Sequence, residues 1–349
     1  MKIKPLAGLV IPDFETGDVL YVTGSTSILI GEEASSLITR SNLAVKLTVT
    51  ASRLVRSGLP FRASLIDYSP YNPPVRYLTS EKPPDISEIA SLSASLIKRE
   101  PLTPTVSRFT FRLSGNATWQ AGQHVTLDFG PELEHGYAHM NDGDPQSLND
   151  DYVRTFTVSS VPNKGKEQDL QITARKHGPA TGLLWRHNLR VPLELTVMGF
   201  GGKEDFHIPV KDDGRQAVMI AGGVGITPLL AQGQAVLDGA VKLSLVWSLK
   251  AEDMALAEDT LRRIPGLAKV TRLFVTGSAD TDSEGLAVSA SASVREMGAT
   301  VATRRVQETD LTSLKGTGSR FFLCAPPRLV KQMNSWLEGE DVAWEDFGY

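Results

Sequence analysis

The chain has 349 residues, a formal net charge of −4 at pH 7, 41% hydrophobic residues and 22% charged residues. This composition excludes a wholly disordered chain, and the length suits about two domains at ~150 residues each. Because there is no basic surplus we expect no nucleic-acid partner, and no apolar run reaches the ~18 residues of a membrane span. A single cysteine, Cys324, excludes an internal disulfide and favours a reducing, cytoplasmic location.

The first 80 residues alternate short apolar runs with turns. These runs predict strands at residues 19–22, 28–30 and 43–50. Five prolines follow between residues 70 and 84. Because proline stiffens the chain and removes backbone donors, this stretch indicates a linker or a strap over the surface.

Residues 91–210 contain six apolar runs separated by glycine, proline and polar residues, which is typical of an antiparallel barrel. A long polar segment, residues 130–151, interrupts the runs, and we interpret it as a functional or mobile loop. The predicted strands are residues 91–99, 106–113, 125–129, 152–159, 169–176 and 193–198.

Beyond residue 211, strands alternate with helices, which is the pattern of a doubly wound parallel sheet. Residues 276–302 are rich in serine and alanine and fit either a loop or a weak helix. The predicted strands are residues 217–221, 241–248, 270–276 and 321–324, and the predicted helices are residues 227–238, 254–264 and 328–337.

A glycine-rich turn joins the first strand of this region to its first helix. Gly223 and Gly225 allow a pyrophosphate to approach the backbone closely, Thr227 can cap the helix, and Pro228 suits its first turn. A helix N-terminus offers free N–H groups to phosphate, so we predict a nucleotide site here. A tight turn in any α/β protein is the other interpretation.

The next strand ends at Ser248 and Lys250, where dinucleotide-binding proteins often place an acid against a ribose. A lysine at this position favours a 2′-phosphate, and therefore NADPH. A solvated lysine at a strand end is an equally good interpretation, so NADH and NADPH both stay open.

The barrel region carries a second candidate phosphate site. Strand alternation puts Arg154 and Phe156 on one face, so a guanidinium can bind phosphate while an aromatic ring lies against a flat ring, with Thr157 at the edge of that ring. On its own this stretch fits a half-buried strand with a surface arginine better.

About 20 residues later, a cationic strand end runs into Gly178 and Thr181. We expect Thr181 to cap a helix that begins near Gly182, which would make a further anion site at a helix N-terminus.

These motifs, in this order, resemble those of the ferredoxin–NADP⁺ reductase superfamily over roughly residues 91–349. Each is weak alone, but five in the same order are specific. The resemblance implies an FAD-binding β-barrel at residues 91–210 and an NAD(P)-binding Rossmann-like domain at residues 211–349. The five motifs are Arg154-x-Phe156-Thr157, Gly178-x-x-Thr181, Gly223-x-Gly225-x-x-Pro228, Cys324-Ala325-Pro326-Pro327 and Glu345-x-Phe347.

The resemblance also implies roles for the barrel motifs. Arg154 would bind the flavin phosphate, and Phe156, in place of the usual tyrosine, would cover the isoalloxazine, with Val158 beside it. Thr157 would be a catalytic residue at the reacting edge of the ring. Thr181, in place of the usual serine, and Gly182 would hold the pyrophosphate of FAD, which argues against FMN.

At a later strand end, Cys324 matches the family cysteine beside nicotinamide C4, and Pro326 follows it. A small buried apolar residue is the other interpretation of Cys324. Ala325 departs from the family glycine. Glu345 and Phe347 match the tail that flanks the flavin, so Cys324 and Glu345 are further catalytic candidates; a frayed chain end is the alternative.

Residues 5–60 resemble part of a split barrel of the pyridoxamine 5′-phosphate oxidase type, which occurs fused to such reductase modules. The strands that supply most FMN phosphate contacts are absent, so we carry over no FMN site; either the chain or its gene model is shortened. A partial split barrel at residues 1–80 exposes strand edges, and a homodimer through this segment is one way to cover them.

Together these features imply a flavin-dependent NAD(P)H oxidoreductase. Hydride would pass from NAD(P)H to N5 of FAD, and electrons would pass on to an unidentified protein or small-molecule acceptor. The alternative is a non-catalytic, degenerate nucleotide-binding paralogue or regulatory subunit, which the altered Cys324-Ala325 turn and the shortened barrel favour. No metal site is expected, because the spacing of His135 and His139 in a polar loop does not make a helical metal face.

Overall fold

The computed structural model describes residues 3–38, 43–63, 78, 80, 92–133, 150, 152–162, 169–202, 206–211, 214–239, 241–277 and 284–346. Most of the proline-rich stretch, the pair His135 and His139, and Phe347 lie outside these ranges. The chain divides into two compact units, the first holding the three N-terminal strands and the second holding all later elements.

The first unit contains an antiparallel sheet in the order β1-β2-β3. The two strands predicted at residues 19–22 and 28–30 are one continuous strand, with a register shift between Thr23 and Gly24. Apolar side chains such as Val10 and Leu43 are more than 60% exposed on this sheet. The elements are β1 (Leu6–Pro12), β2 (Val19–Ile30), the short helix α1 (Glu32–Leu37) and β3 (Leu43–Val55).

The second unit begins with the predicted antiparallel barrel, which is confirmed. Its strand order is β7-β6-β9-β4-β5-β8, and a bridge between Val158 and Ile172 joins the two edge strands. Phe109, Phe111 and Phe129 fill the interior. The elements are β4 (Ser93–Pro101), β5 (Val106–Leu113), β6 (His124–Asp128), α2 (Gly130–Leu133), β7 (Val153–Thr157), β8 (Asp169–Arg175), α3 (Gly178–Arg186) and β9 (Glu194–Gly201).

The predicted doubly wound sheet follows and is also confirmed. It is parallel, with the order β13-β12-β11-β10-β14-β15, and separate apolar cores lie on its two faces. Its elements are β10 (Ala217–Gly222), α4 (Thr227–Asp238), β11 (Leu243–Lys250), α5 (Met254–Arg263), β12 (Thr271–Thr276), α6 (Glu284–Glu296), β13 (Thr300–Ala302), β14 (Arg320–Ala325), α7 (Pro327–Trp336) and β15 (Asp341–Asp346).

Two parts of the sheet differ from the sequence interpretation. The ambiguous residues 276–302 contain α6 and β13, so the loop alternative is wrong. The segment with Glu345 is not a frayed end, because β15 pairs with β14 along its whole length.

The barrel and the parallel sheet, called here the barrel lobe (residues 92–211) and the sheet lobe (residues 214–346), share apolar packing. Val106 of β5 is fully buried in the core beneath the parallel sheet. Among the described residues, no helix is long and apolar enough to cross a membrane.

Candidate nucleotide-binding site

A short 3₁₀ turn lies at the carboxyl end of the central parallel strand. β10 is buried throughout, the turn spans Gly223–Ile226, and α4 begins at Thr227. The N-cap of α4 is Ile226, without a side-chain cap bond, so the expected capping by Thr227 is wrong; Thr227 already has helical dihedral angles. Pro228 lies in the first turn, as expected.

Two glycines of the turn serve different contacts. A Cβ on Gly225 would lie 1.8 Å from the carbonyl oxygen of Cys324, so this glycine lets the turn approach the backbone of β14. Gly223 has a φ of +55°, and a Cβ there would lie 3.3 Å from Nη2 of Arg175. Gly223 lines an open cavity, whereas Gly225 packs against the sheet.

The side chain of a buried tryptophan is hydrogen-bonded to the backbone of this turn. Trp247 of β11 has no exposed surface, and its Nε1 donates a hydrogen bond of 2.9 Å to the carbonyl oxygen of Gly223. A buried indole N–H needs an acceptor, so this bond both satisfies Trp247 and restrains the position of Gly223.

The cavity has a volume of about 600 Å³ and is lined by both lobes. Its size lies within the usual ~300–1,000 Å³ of ligand pockets. Eight predicted site residues line it: Phe156, Thr157, Thr181, Gly223, Thr227, Ser248, Lys250 and Pro326. Eight others are described but lie outside the lining: Arg154, Val158, Gly178, Gly182, Gly225, Pro228, Cys324 and Glu345.

On β7, the aromatic ring is held mainly by the barrel. Phe156 is 6% exposed and makes an edge-on contact with Phe129, with ring centroids 6.2 Å apart. Arg154 is half-buried, and its Nη1 donates to the carbonyl of Val153 at 3.0 Å. The strand therefore presents the Phe156 and Thr157 positions, rather than Arg154, to the cavity.

Helix α3 begins four residues earlier than expected. It starts at Gly178, with His177 as its N-cap, so Thr181 lies inside the helix and does not cap it. Thr181 Oγ1 accepts a hydrogen bond of 2.6 Å from the backbone N–H of His177 and donates to the carbonyl of the same residue. Gly178 has a left-handed φ of +67°, and Gly182 lies within the helix.

The end of β11 contributes a hydroxyl and a cation. Ser248 and Lys250 both line the cavity, together with Thr276, which is opposite Lys250 in the sheet register. Lys250 forms an ion pair of 3.1 Å with Glu252, but its side chain is 67% exposed. Such exposed ion pairs contribute little to stability, so the pair with Glu252 leaves Lys250 able to bind a ligand.

The cysteine candidate is fully buried. Cys324 lies opposite Glu345 in the β14–β15 register and has no exposed surface. Burial, and secondly the charge of Glu345, raise the pKa of the Cys324 thiol well above its ordinary value, so it is protonated at neutral pH. Beside it, Pro326 lines the cavity, and the methyl of Ala325 lies 2.9 Å from the position a Cβ on Gly222 would occupy.

An ion pair that no sequence motif predicts lies beside the cavity. Arg175, at the end of β8, lines the cavity and pairs with Asp253 at 2.5 Å. The sequence showed a cationic strand end here, but the partner lies 78 residues later and no local pattern connects the two.

Comparison with known proteins finds likeness in structure only. No family model and no curated protein sequence matches the chain. The FAD/NAD-binding domain of a nitric oxide dioxygenase from Vibrio cholerae O1 biovar El Tor matches with a TM-score of 0.52 and 17% identity, over 74% of this chain and 99% of that one.

Two further structures are similar. A ferredoxin reductase in carbazole 1,9a-dioxygenase has a TM-score of 0.52 at 14% identity, over 97% of this chain and 90% of that one. The cytochrome b5 reductase domain of Ulva prolifera nitrate reductase has a TM-score of 0.51 at 15% identity, over 72% and 96%. The chain therefore has the barrel-plus-parallel-sheet fold of ferredoxin reductase-like proteins.

Proposed function

We propose that the chain is a flavin-dependent NAD(P)H oxidoreductase that transfers electrons from a nicotinamide nucleotide to an unidentified acceptor. The proposal depends on one cavity whose wall combines Thr157 and Thr181 of the barrel lobe with Gly223 and Ser248 of the sheet lobe. The similar structures named above include an FAD/NAD-binding domain and two reductases, and the shared fold supports the analogy.

The cavity wall suits nucleotides. Six threonines and a serine line it, and hydroxyls can bond ribose and phosphate oxygens, although those of Thr181 and Thr276 already donate to backbone carbonyls. Arg175 and Lys250 add cationic groups, each of which is paired with a carboxylate, Asp253 and Glu252 respectively. When bound, FAD would supply a ring that accepts hydride, and NAD(P)H would supply the hydride.

Within this proposal the barrel lobe binds FAD. Thr157 and Phe156 line the cavity and would contact the flavin, Thr157 through a hydrogen bond. Arg154 and Val158 belong to the same stretch of chain, although neither lines the cavity. Thr181 and its helix neighbours Gly178 and Gly182 would border the FAD pyrophosphate, although the Thr181 hydroxyl already donates its hydrogen to the carbonyl of His177.

The sheet lobe binds the nicotinamide nucleotide. Gly223, Thr227 and Pro326 border its phosphates and nicotinamide, backed by Gly225 and Pro228. Cys324 and Glu345, the other catalytic candidates, do not line the cavity. The thiol is buried, so contact with a nicotinamide requires the Pro326 segment to move.

Three finer parts of the proposal concern the whole protein. The lone cysteine fits a reducing compartment, so we propose the cytoplasm. We further propose that residues 1–80 are a partial split barrel, and that this segment forms a homodimer through its exposed apolar sheet, on which Val10 and Leu43 stand out.

The decisive experiment is anaerobic mixing of FAD-reconstituted protein with NADH and, separately, NADPH, while flavin absorbance is followed. We expect rapid bleaching. Colourless protein that does not take up FAD, or bound FAD that neither nucleotide bleaches, would favour the non-catalytic alternative, for which the buried Cys324 is the supporting observation.

The chain offers a matched pair of lysines for nucleotide choice. Lys250 pairs with Glu252 at 3.1 Å and lines the cavity, whereas Lys98 pairs with Glu100 at 2.9 Å on the barrel and does not. If Lys250 binds a 2′-phosphate, Lys250→Ala lowers the rate with NADPH but not with NADH, and Lys98→Ala changes neither. Equal effects on both nucleotides would remove Lys250 from this role.

A further inference from the structure

A buried carboxylate of the sheet lobe is held by the barrel lobe beside the cavity. Asp253 follows β11 and has no exposed surface. Its Oδ1 accepts hydrogen bonds from the hydroxyls of Thr103 at 2.9 Å and Thr105 at 3.0 Å, and its Oδ2 pairs with Nη2 of Arg175 at 2.5 Å. A buried charge is costly unless it is paired and hydrogen-bonded, and here three barrel groups provide those partners.

The same contacts fix the guanidinium of Arg175. Its Nη1 donates to Thr105 Oγ1 at 2.5 Å while Nη2 holds Asp253, so these two bonds set the plane of the group. The side chain is 28% exposed and lines the cavity. Its Nη2 lies 3.3 Å from the position a Cβ on Gly223 would occupy, which places positive charge directly beside the glycine turn.

We infer that Asp253 is a positioning residue for the nicotinamide nucleotide: it holds Arg175 of the barrel lobe beside Gly223, where the diphosphate of a nucleotide at this turn is bound. The inference rests on the proposed function. The guanidinium is already held in place, so little side-chain entropy is lost when the anion binds, and the binding free energy is reduced less by that loss. FAD also contains a diphosphate, so the test must separate the two nucleotides.

A second ion pair across the same junction provides the control. Arg108 of β5 pairs with Asp259 of α5, and the arginine side chain is only 6% exposed. Neither residue lines the cavity. Asp259→Asn therefore removes another arginine–aspartate pair between the lobes, at a carboxylate that is 27% exposed and away from the glycine turn.

The experiment uses full-length, FAD-loaded protein and compares Asp253→Asn, Thr105→Val and Asp259→Asn with the unaltered chain. Calorimetry with NAD⁺ and NADP⁺, which carry no hydride to transfer, measures nucleotide affinity without turnover. FAD content, KM, kcat and the midpoint of thermal unfolding complete the set. Thr105→Val keeps the test available if Asp253→Asn does not fold.

We expect Asp253→Asn to raise the nucleotide Kd and KM about tenfold, with kcat and FAD content little changed, because the neutral amide no longer holds the guanidinium of Arg175 beside Gly223. Loss of the negative charge alone would instead favour the anion, so a lower Kd in this variant would overturn the inference. Thr105→Val gives a smaller rise in the same direction. Asp259→Asn lowers the unfolding midpoint but leaves the Kd unchanged.

Two other results would also overturn the inference. Equal nucleotide affinity in Asp253→Asn and Asp259→Asn would reduce Asp253 to a structural contact between the lobes. Loss of FAD at unchanged nucleotide affinity would assign Arg175 to the flavin. Failure of the proposed function looks different, because the unaltered protein itself then binds neither NAD⁺ nor NADP⁺.

Discussion

Replacing Gly225 by alanine tests whether the turn lies as close to β14 as the structure has it. The added methyl would lie 1.8 Å from the carbonyl oxygen and 2.6 Å from the carbonyl carbon of Cys324. That carbonyl cannot retreat easily, because β14 pairs with β10 on one side and β15 on the other. Overpacking typically costs ~1–3 kcal/mol, and a clash with backbone belongs at the upper end.

A cost of ~3 kcal/mol lowers the unfolding midpoint by about 6–12 °C, at ~2–4 °C per kcal/mol for a domain of this size. Differential scanning calorimetry measures the shift. Gly115→Ala is the matched control, because its methyl meets only Cδ1 of Leu92 at 3.5 Å, its φ lies outside the left-handed region, and it has no part in the proposed site. We expect that midpoint to stay or rise. A Gly225→Ala protein as stable as the unaltered chain would refute the close approach.

Three further predictions concern buried groups. Trp247→Phe removes the donor to Gly223 and should cost ~1–3 kcal/mol in urea unfolding, with weaker NADP⁺ binding; unchanged affinity would mean that the turn does not need the indole. Iodoacetamide should label Cys324 slowly in native protein and quickly in urea, because burial raises the pKa of the thiol and hides it; fast native labelling would contradict its burial. Burial lowers the pKa of His124, so the unfolded chain binds the proton more readily and stability should fall as pH drops below about 6.5. His124→Gln should flatten that slope between pH 7.5 and 5, and an unchanged slope would assign it to other groups.

Local patterns predicted the elements that depend on neighbouring residues. The helix predicted at residues 227–238 is Thr227–Asp238, because a buried strand, a glycine turn and a proline in the first helical turn all agree. Helix α3 begins four residues before the predicted start, because Pro179, and not Thr181, marks its first turn.

Contacts between distant residues were not predictable in this way. Asp253 follows a predicted strand, but nothing in the neighbouring sequence identifies Arg175, Thr103 and Thr105 as its partners. The burial of Cys324 likewise depends on β15, whose residues have no strong alternation of apolar and polar side chains. The sequence therefore indicates the fold and the glycine turn, while the junction between the lobes requires the structure.

The order of strands in the parallel sheet has a consequence for synthesis on the ribosome. β10 lies between β11, which follows it closely, and β14, which is made about 100 residues later, or about 5–20 s at the usual ~5–20 residues per second. During that interval the side of β10 that later pairs with β14 has no partner strand, although the residues of β10 are all buried in the finished protein. We expect chaperones to bind the nascent chain at this stage. Slower translation between β11 and β14 would lengthen the time for which the unpaired side of β10 can aggregate.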